Sequence, residues 1–328
     1  MHIALTYDLA DDYLAAGFTS DDVAEFDSKD VIDALDAAIV SLGHTTERVG
    51  SVGPLIDRLA RGQRWDLVFN IAEGLSSVGG VAREAQIPTI LDLYGIPYTF
   101  SPPLPLAIAL DKALAKRLIR DHGIPTPSFT TIASVEEAAA TAALASSRTS
   151  GGSGPGGKSA KPAEEARPRL PGSIKRLDLP LFAKPVAEGS SKGVTTRSII
   201  RAWPDLVPTC TDLLERFRQP VLLERYLPGR ELTVGILGTG DRARCIGAME
   251  IHLNDRAEPG LYSFDNKEHW QDRMTFSLAQ GPIRDECFSV ALAAYRALGC
   301  RDAARVDLRQ DPWKGSRERS GRKKCCRA

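Results

Sequence analysis

Apolar positions fall into two rhythms along this chain. His2 to Tyr7 is a run of strand length, whereas Asp30 to Leu42 sets Val31, Leu35, Ala38, Ile39 and Leu42 on one helical face, with Gly43 as its stop. Trp65 to Ile71 is a second strand, brief and apolar enough to be buried in a parallel sheet. Gln86 to Tyr94 predicts a helix, and Gly95 to Thr99 leads out of it into a further strand. Strands alternating with helices in this way predict a doubly wound α/β lobe over residues 1–98.

The rhythm then changes. An amphipathic helix is predicted from Asp111 to His122, stopped by Gly123, Pro125 and Pro127, and an alanine-rich helix from Val135 to about Ala145. Residues 146–172 combine Ser150-Gly151-Gly152-Ser153-Gly154-Pro155-Gly156-Gly157 with a Lys/Pro/Glu/Arg-rich stretch, and so predict a disordered insertion that buries too little to offset its ordering entropy. The glycine run lacks the Gly-Lys-Ser/Thr ending of a P-loop and has no apolar strand leading into it. Strand patterns return at Leu179–Pro185, Val221–Tyr226 and Glu231–Leu237, followed by a helix from Cys287 to Leu298 and a last strand from Ala303 to Leu308. These predict two α+β lobes, a central one over 99–220 and a C-terminal one over 221–312, with 313–328 a separate tail. There is no internal repeat.

Composition narrows the class. At 328 residues with 43% hydrophobic and 26% charged positions, the chain suits two or three globular lobes. It has no apolar run of membrane-spanning length, and its first residues lack the basic and apolar regions of a secretory signal, so the cytoplasm is expected. Cys210, Cys245, Cys287, Cys300, Cys325 and Cys326 form no C-x-x-C pair and predict incidental thiols. Formal charge is zero overall, but the last sixteen residues carry seven Lys/Arg and one Glu, which leaves the body at −6. Such a tail could bind nucleic acid or a membrane surface, though a solvated or spurious tail is the preferred reading.

Three stretches carry candidate chemistry. In Phe182-Ala183-Lys184-Pro185 a lysine ends an apolar strand and needs an anionic partner, and the following Gly189-Ser190-Ser191-Lys192-Gly193 offers N–H groups and hydroxyls to phosphate oxygens. In Glu224-Arg225-Tyr226-Leu227-Pro228-Gly229-Arg230-Glu231 two carboxylates flank a turn between apolar strands, an arrangement able to hold a base and a sugar. In Arg305-Val306-Asp307 a cation and an acid share one face of a strand. Singly, the plainer readings are a surface loop with a snorkelling lysine, a charged hairpin and an ordinary ion pair.

Their order is more specific than any one of them. Lysine strand, glycine-serine loop, E-x-x-L-x-G-x-E hinge and R-x-D strand together resemble the ATP-grasp enzymes. Tyr98-Thr99-Phe100-Ser101, Ala109-Leu110-Asp111-Lys112-Ala113-Leu114-Ala115-Lys116 and Gly123-Ile124-Pro125-Thr126-Pro127 resemble the D-alanine–D-alanine ligases in particular. The resemblance runs from about Arg83 to Gln310 and implies an ATP-grasp fold behind an N-terminal doubly wound (pre-ATP-grasp) lobe. It implies that Lys112 and Lys184 contact ATP phosphates, with Ser190, Ser191 and Gly193 in the loop closing over them. Glu224 and Leu227 match the adenine hinge, Glu231 the ribose-binding carboxylate and Lys267 a further phosphate lysine on a mobile loop. Arg305 matches the arginine that stabilises the tetrahedral intermediate, and Asp307 the first metal ligand. The implied reaction is ATP-dependent joining of two amino acids through an acyl phosphate, for cell-wall precursors, with Mg2+ or Mn2+. Small amino-acid substrates are implied as partners, without nucleic acid or membrane, and a homodimer is left open.

Two departures from the pattern set alternatives beside that reading. The Gly-Gly-x-Ser-x-Glu stretch usual after the first strand is replaced by Tyr7-Asp8-Leu9-Ala10-Asp11-Asp12-Tyr13, with Glu25-Phe26-Asp27 further on, and Glu268 follows Lys267 where a tyrosine is common. A ligase for other amino acids is the first alternative. The Glu-x-Asn expected beyond Asp307, which supplies the remaining metal ligands, gives way to the basic tail. A frameshift near residue 312 is the expected cause, with an incomplete C-terminal lobe and an inactive ATP-binding remnant as the second alternative.

Overall fold

The computed structural model describes residues 1–75, 80–149, 177–312 and 326–327. Three sheets account for its strands. The first holds β1 (His2–Thr6), β2 (Thr45–Gly50) and β3 (Leu67–Asn70) in the parallel order β2-β1-β3. One face packs on Val52, Leu55, Leu59, Ile87 and Leu91, and Ile3, Leu5 and Ile39 pack on the other. Apolar cover on both faces is what permits an all-parallel arrangement.

The strand expected at Gly95–Thr99 shrinks to a single bridge between Val68 and Tyr98. Pro97 has no N–H, so the contact rests on Val68 N–H donating to Pro97 O (2.8 Å) and Thr99 N–H donating to Val68 O (2.9 Å).

The central sheet is antiparallel, in the order β4 (Phe129–Ile132), β7 (Val221–Arg225), β5 (Leu181–Pro185) and β6 (Ile199–Ile200). The boundary expected between residues 220 and 221 therefore moves: β7 is an inner strand of the central sheet, where its fully buried Val221, Leu222 and Leu223 have a neighbouring strand on each side. Helices Val135–Thr149 and Leu206–Phe217 cover this sheet. The first of them continues through 146–149, where the insertion was expected to begin; residues 150–176, with the glycine run, lie outside the described residues.

The third sheet has the order β10 (Met274–Leu278), β9 (Arg244–Leu253), β8 (Glu231–Leu237), β11 (Ala303–Gln310) and β12 (Cys326–Arg327). The helix Gly281–Ala297 packs Cys287, Val290, Ala291, Ala294 and Tyr295 against Leu232, Val234, Ile236 and Leu308. Since β7 and β8 belong to different sheets, residues 226–230 form a connection between lobes and not a hairpin. The basic tail was expected to stand outside the fold. Cys326–Arg327 pair antiparallel with Gln310 and Arg309, while residues 313–325 and 328 lie outside the described residues. Among the described residues no helix is long and apolar enough to cross a membrane.

Candidate active site

A cleft of about 470 Å³ opens between the central and third sheets. One wall begins at the helix Lys112–Asp121, whose first turn is fixed by Asp111: its carboxylate accepts from the N–H groups of Ala113 and Leu114, both at 2.9 Å. That cap places Lys112 and Lys116, one helical turn apart, on the side that lines the cleft. Lys184 on β5 joins them.

The three ammonium groups are held by protein acceptors. Glu224 on β7, 7% exposed, lies between Lys184 (2.8 Å) and Lys116 (3.0 Å). Burial opposes its charge, but those two lysines outweigh burial and hold the carboxyl down at about 2. Glu224, matched in the sequence to the adenine hinge, thus turns its side chain to Lys184 and Lys116. Lys112 donates to the carbonyls of Val186 (3.4 Å) and Glu188. Burial, and then the charge on Lys184, bring its pKa down to about 8.

The glycine-serine loop closes one end. Ser190 and Ser191 both adopt left-handed backbone (φ 45° and 61°), a conformation costly for residues with a Cβ. The Ser191 hydroxyl donates to the carbonyl of Tyr262 (2.7 Å), tying the loop to the opposite lobe. Gly193 is the one sequence-predicted site residue that does not line the cleft. It sits beneath the loop at φ 77°, where a Cβ would come within 2.7 Å of the Phe217 ring and 3.0 Å of Pro185.

The N-terminal lobe reaches this loop through a residue outside the expected set. Glu25 accepts from the N–H of Gly189 and from the guanidinium of Arg83, with side chains 4% and 3% exposed respectively. Arg83 also donates to the carbonyl of Ala187 (2.9 Å). Burial pushes the nearby carboxyls Glu84 and Glu73 up, the latter to about 8, and Glu84 lines the cleft. Lys192 pairs with Glu188 at 3.3 Å. Glu268, the other departure noted in the sequence, is exposed and does not line the cleft.

From the third sheet, Arg305 and Asp307 point into the same cleft as i, i+2 neighbours on β11. Lys267 faces them from the short helix Phe264–Glu268, held by the fully buried Asn266, whose amide bonds Glu258 and Leu261. Lys267 lies 4.5 Å from the Tyr262 ring, and burial lowers its pKa. Leu227 and Glu231 line the far end. All of the set read from the sequence except Gly193 thus lines this cleft, while Lys116, Arg309 and Glu25 were missed. Two of the three carried a signal: Lys116 is i+4 from Lys112, and Arg309 continues the alternation of Arg305 and Asp307.

The donor set for a metal ion is thin. Asp307 is an exposed carboxylate, Glu231 is paired with Arg309, and among the described residues no group of three or more His, Cys, Asp or Glu could hold an ion. Asp307 alone does not fit a protein-held Mg2+, which takes about six oxygen ligands.

Two α+β lobes closing a cation-lined cleft, behind a parallel α/β lobe, define an ATP-grasp fold. The chain belongs to the D-alanine–D-alanine ligase family. The family model for the D-ala D-ala ligase C-terminus matches residues 161–315. A D-alanine–D-alanine ligase of Sphingopyxis alaskensis is 30% identical over 306 residues, covering 91% of this chain and 81% of that one. The ligase of Bordetella pertussis is 32% identical over 241 residues, covering 72% of this chain but only 64% of the relative, under two thirds of its length. The crystal structure of the Bacillus anthracis ligase complexed with ATP superposes with a TM-score of 0.59 at 17% identity, covering 94% of this chain and 81% of that chain.

Proposed function

We propose that this chain is an ATP-dependent carboxylate–amine ligase that joins two amino acids, with D-alanine as the first candidate for both. The observation that carries the proposal is the convergence of Lys112, Lys116 and Lys184 from one lobe and Lys267 and Arg305 from the other on one cleft. Glu224 pairs with only Lys116 and Lys184 of these five cations, and a triphosphate supplies further negative charge. The names of the relatives and the ATP held by the Bacillus anthracis ligase support the same reading.

In this reading the lysines neutralise charge on the phosphoryl group as it passes from ATP to the first carboxylate, giving an acyl phosphate. Arg305 stabilises the tetrahedral oxyanion as the second amine attacks. The Ser190–Ser191 loop, tied to Tyr262, keeps water from the acyl phosphate. Asp307 would face the Mg2+ that accompanies the nucleotide. A cytoplasmic location and small amino-acid substrates go with the reading.

A second reading, ATP binding without ligation, is favoured by the thin donor set around Asp307. Calorimetric titration with ATP, followed by an assay for ADP with D-alanine, separates the two. Binding with D-alanine-dependent ADP supports the ligase, and binding alone supports the second.

A further inference from the structure

We propose that Arg309 is the positioning residue of the sugar end of the cleft, fixing the Glu231 carboxylate to accept the ribose hydroxyls of a nucleoside triphosphate. The inference rests on the nucleotide reading above and deepens it. Arg309 stands directly opposite Glu231 in the antiparallel pairing of β11 with β8. Its guanidinium then serves three chain segments. Nε donates to the carbonyl of Leu227 in the inter-lobe connection (2.9 Å), and Nη2 to the carbonyl of Gly260 in the loop before Lys267 (3.0 Å). Nη1 donates to Oε2 of Glu231. The Tyr226 hydroxyl donates to the same Gly260 carbonyl (2.9 Å), with the Tyr226 ring 6.0 Å from the guanidinium.

A planar fork holds its donors in fixed directions toward these three acceptors, whereas an ammonium on a flexible stem is a point charge that does not fix them. A carboxylate offers about four acceptor positions, so with Oε2 engaged, Oε1 is left for the hydroxyls of a ligand. Glu231 also shares the cleft with the negative charge of Asp307, which would repel an unpaired carboxylate. Arg309 therefore holds in place a group that would otherwise turn away, and links its position to the connection between the lobes.

The test is calorimetric titration of the full chain and its R309A, R309K and E231Q variants with ATP, 2′-deoxyATP and 3′-deoxyATP. In the parent chain, loss of a hydroxyl bonded to a charged acceptor should weaken binding about tenfold. R309A should bind ATP about tenfold more weakly and lose most of that preference for ribose, matching E231Q. R309K keeps the charge and guards against a folding defect, and it should lose the preference as well. An unchanged preference in R309A and R309K would overturn the inference while leaving the nucleotide reading intact. So would tighter ATP binding by R309A, since Arg309 would then be a plug. Absence of ATP binding by the parent chain would remove both.

Discussion

Glu224 is the residue on which the cation wall turns. With Lys116 and Lys184 on its two oxygens and almost no exposure, it is a buried ion triad, and removing one partner of such a group typically costs about 3 kcal/mol or more. E224Q should therefore destabilise the central lobe by about that amount in urea unfolding and weaken ATP binding. A loss under about 1 kcal/mol would mean that solvent carries the lysines. Lys112 supplies a pH dependence. Because its pKa in the folded chain is lowered to about 8, it is charged below that pH and loses the charge as pH rises through it. Glu73, at about 8, gains a negative charge over the same window. Both changes weaken attraction for a triphosphate, so ATP affinity should fall between pH 7 and 9, and fall less in K112M. Equal slopes in parent and variant would remove Lys112 from the account. Neither effect is readable in the sequence, since both depend on which groups burial brings together.

Among the elements, the glycine-serine loop and its support make the sharpest structural statement. Gly193 has a left-handed φ and no room for a Cβ against Phe217 and Pro185, so G193A should force the loop upward, at a cost of about 1–3 kcal/mol in stability. ATP binding should weaken with it; unchanged binding would show that the loop's seat does not matter. Period and punctuation were enough to locate the strands Glu231–Leu237 and Leu181–Pro185 and the helix Gln86–Tyr94. They could not say which sheet Val221–Arg225 would join, because a fully buried strand reads alike in either lobe. Nor did they mark β9 and β10. Gly247 interrupts the first, and the second exposes Phe276 and Leu278 at a sheet edge, so no clean alternation survives. The site was more legible than the fold around it. Motif order brought Lys112, Lys184, Glu231, Lys267, Arg305 and Asp307 to one cleft, while Glu25 was out of reach because its partner Gly189 lies 164 residues away.

The whole molecule brings three lobes to one place: Glu84 from the first lines the cleft while Glu25 and Arg83 hold Gly189 and Ala187, the lysine cluster comes from the second, and Arg305, Asp307 and Arg309 come from the third. Lobe contact is also made at Arg301, which donates to the carbonyls of Phe100 (2.9 Å) and Tyr98 (3.1 Å). R301A should loosen the third lobe against the first and raise the KM for ATP with a smaller effect on kcat, measured by steady-state kinetics. An unchanged KM would place lobe orientation elsewhere. The central claim, that this cleft ligates amino acids at the expense of ATP, is tested most directly by ADP release from the full chain across a panel of amino acids. Release that requires D-alanine and is abolished in K184A is the expected result. ATP binding without ADP release for any amino acid would contradict it.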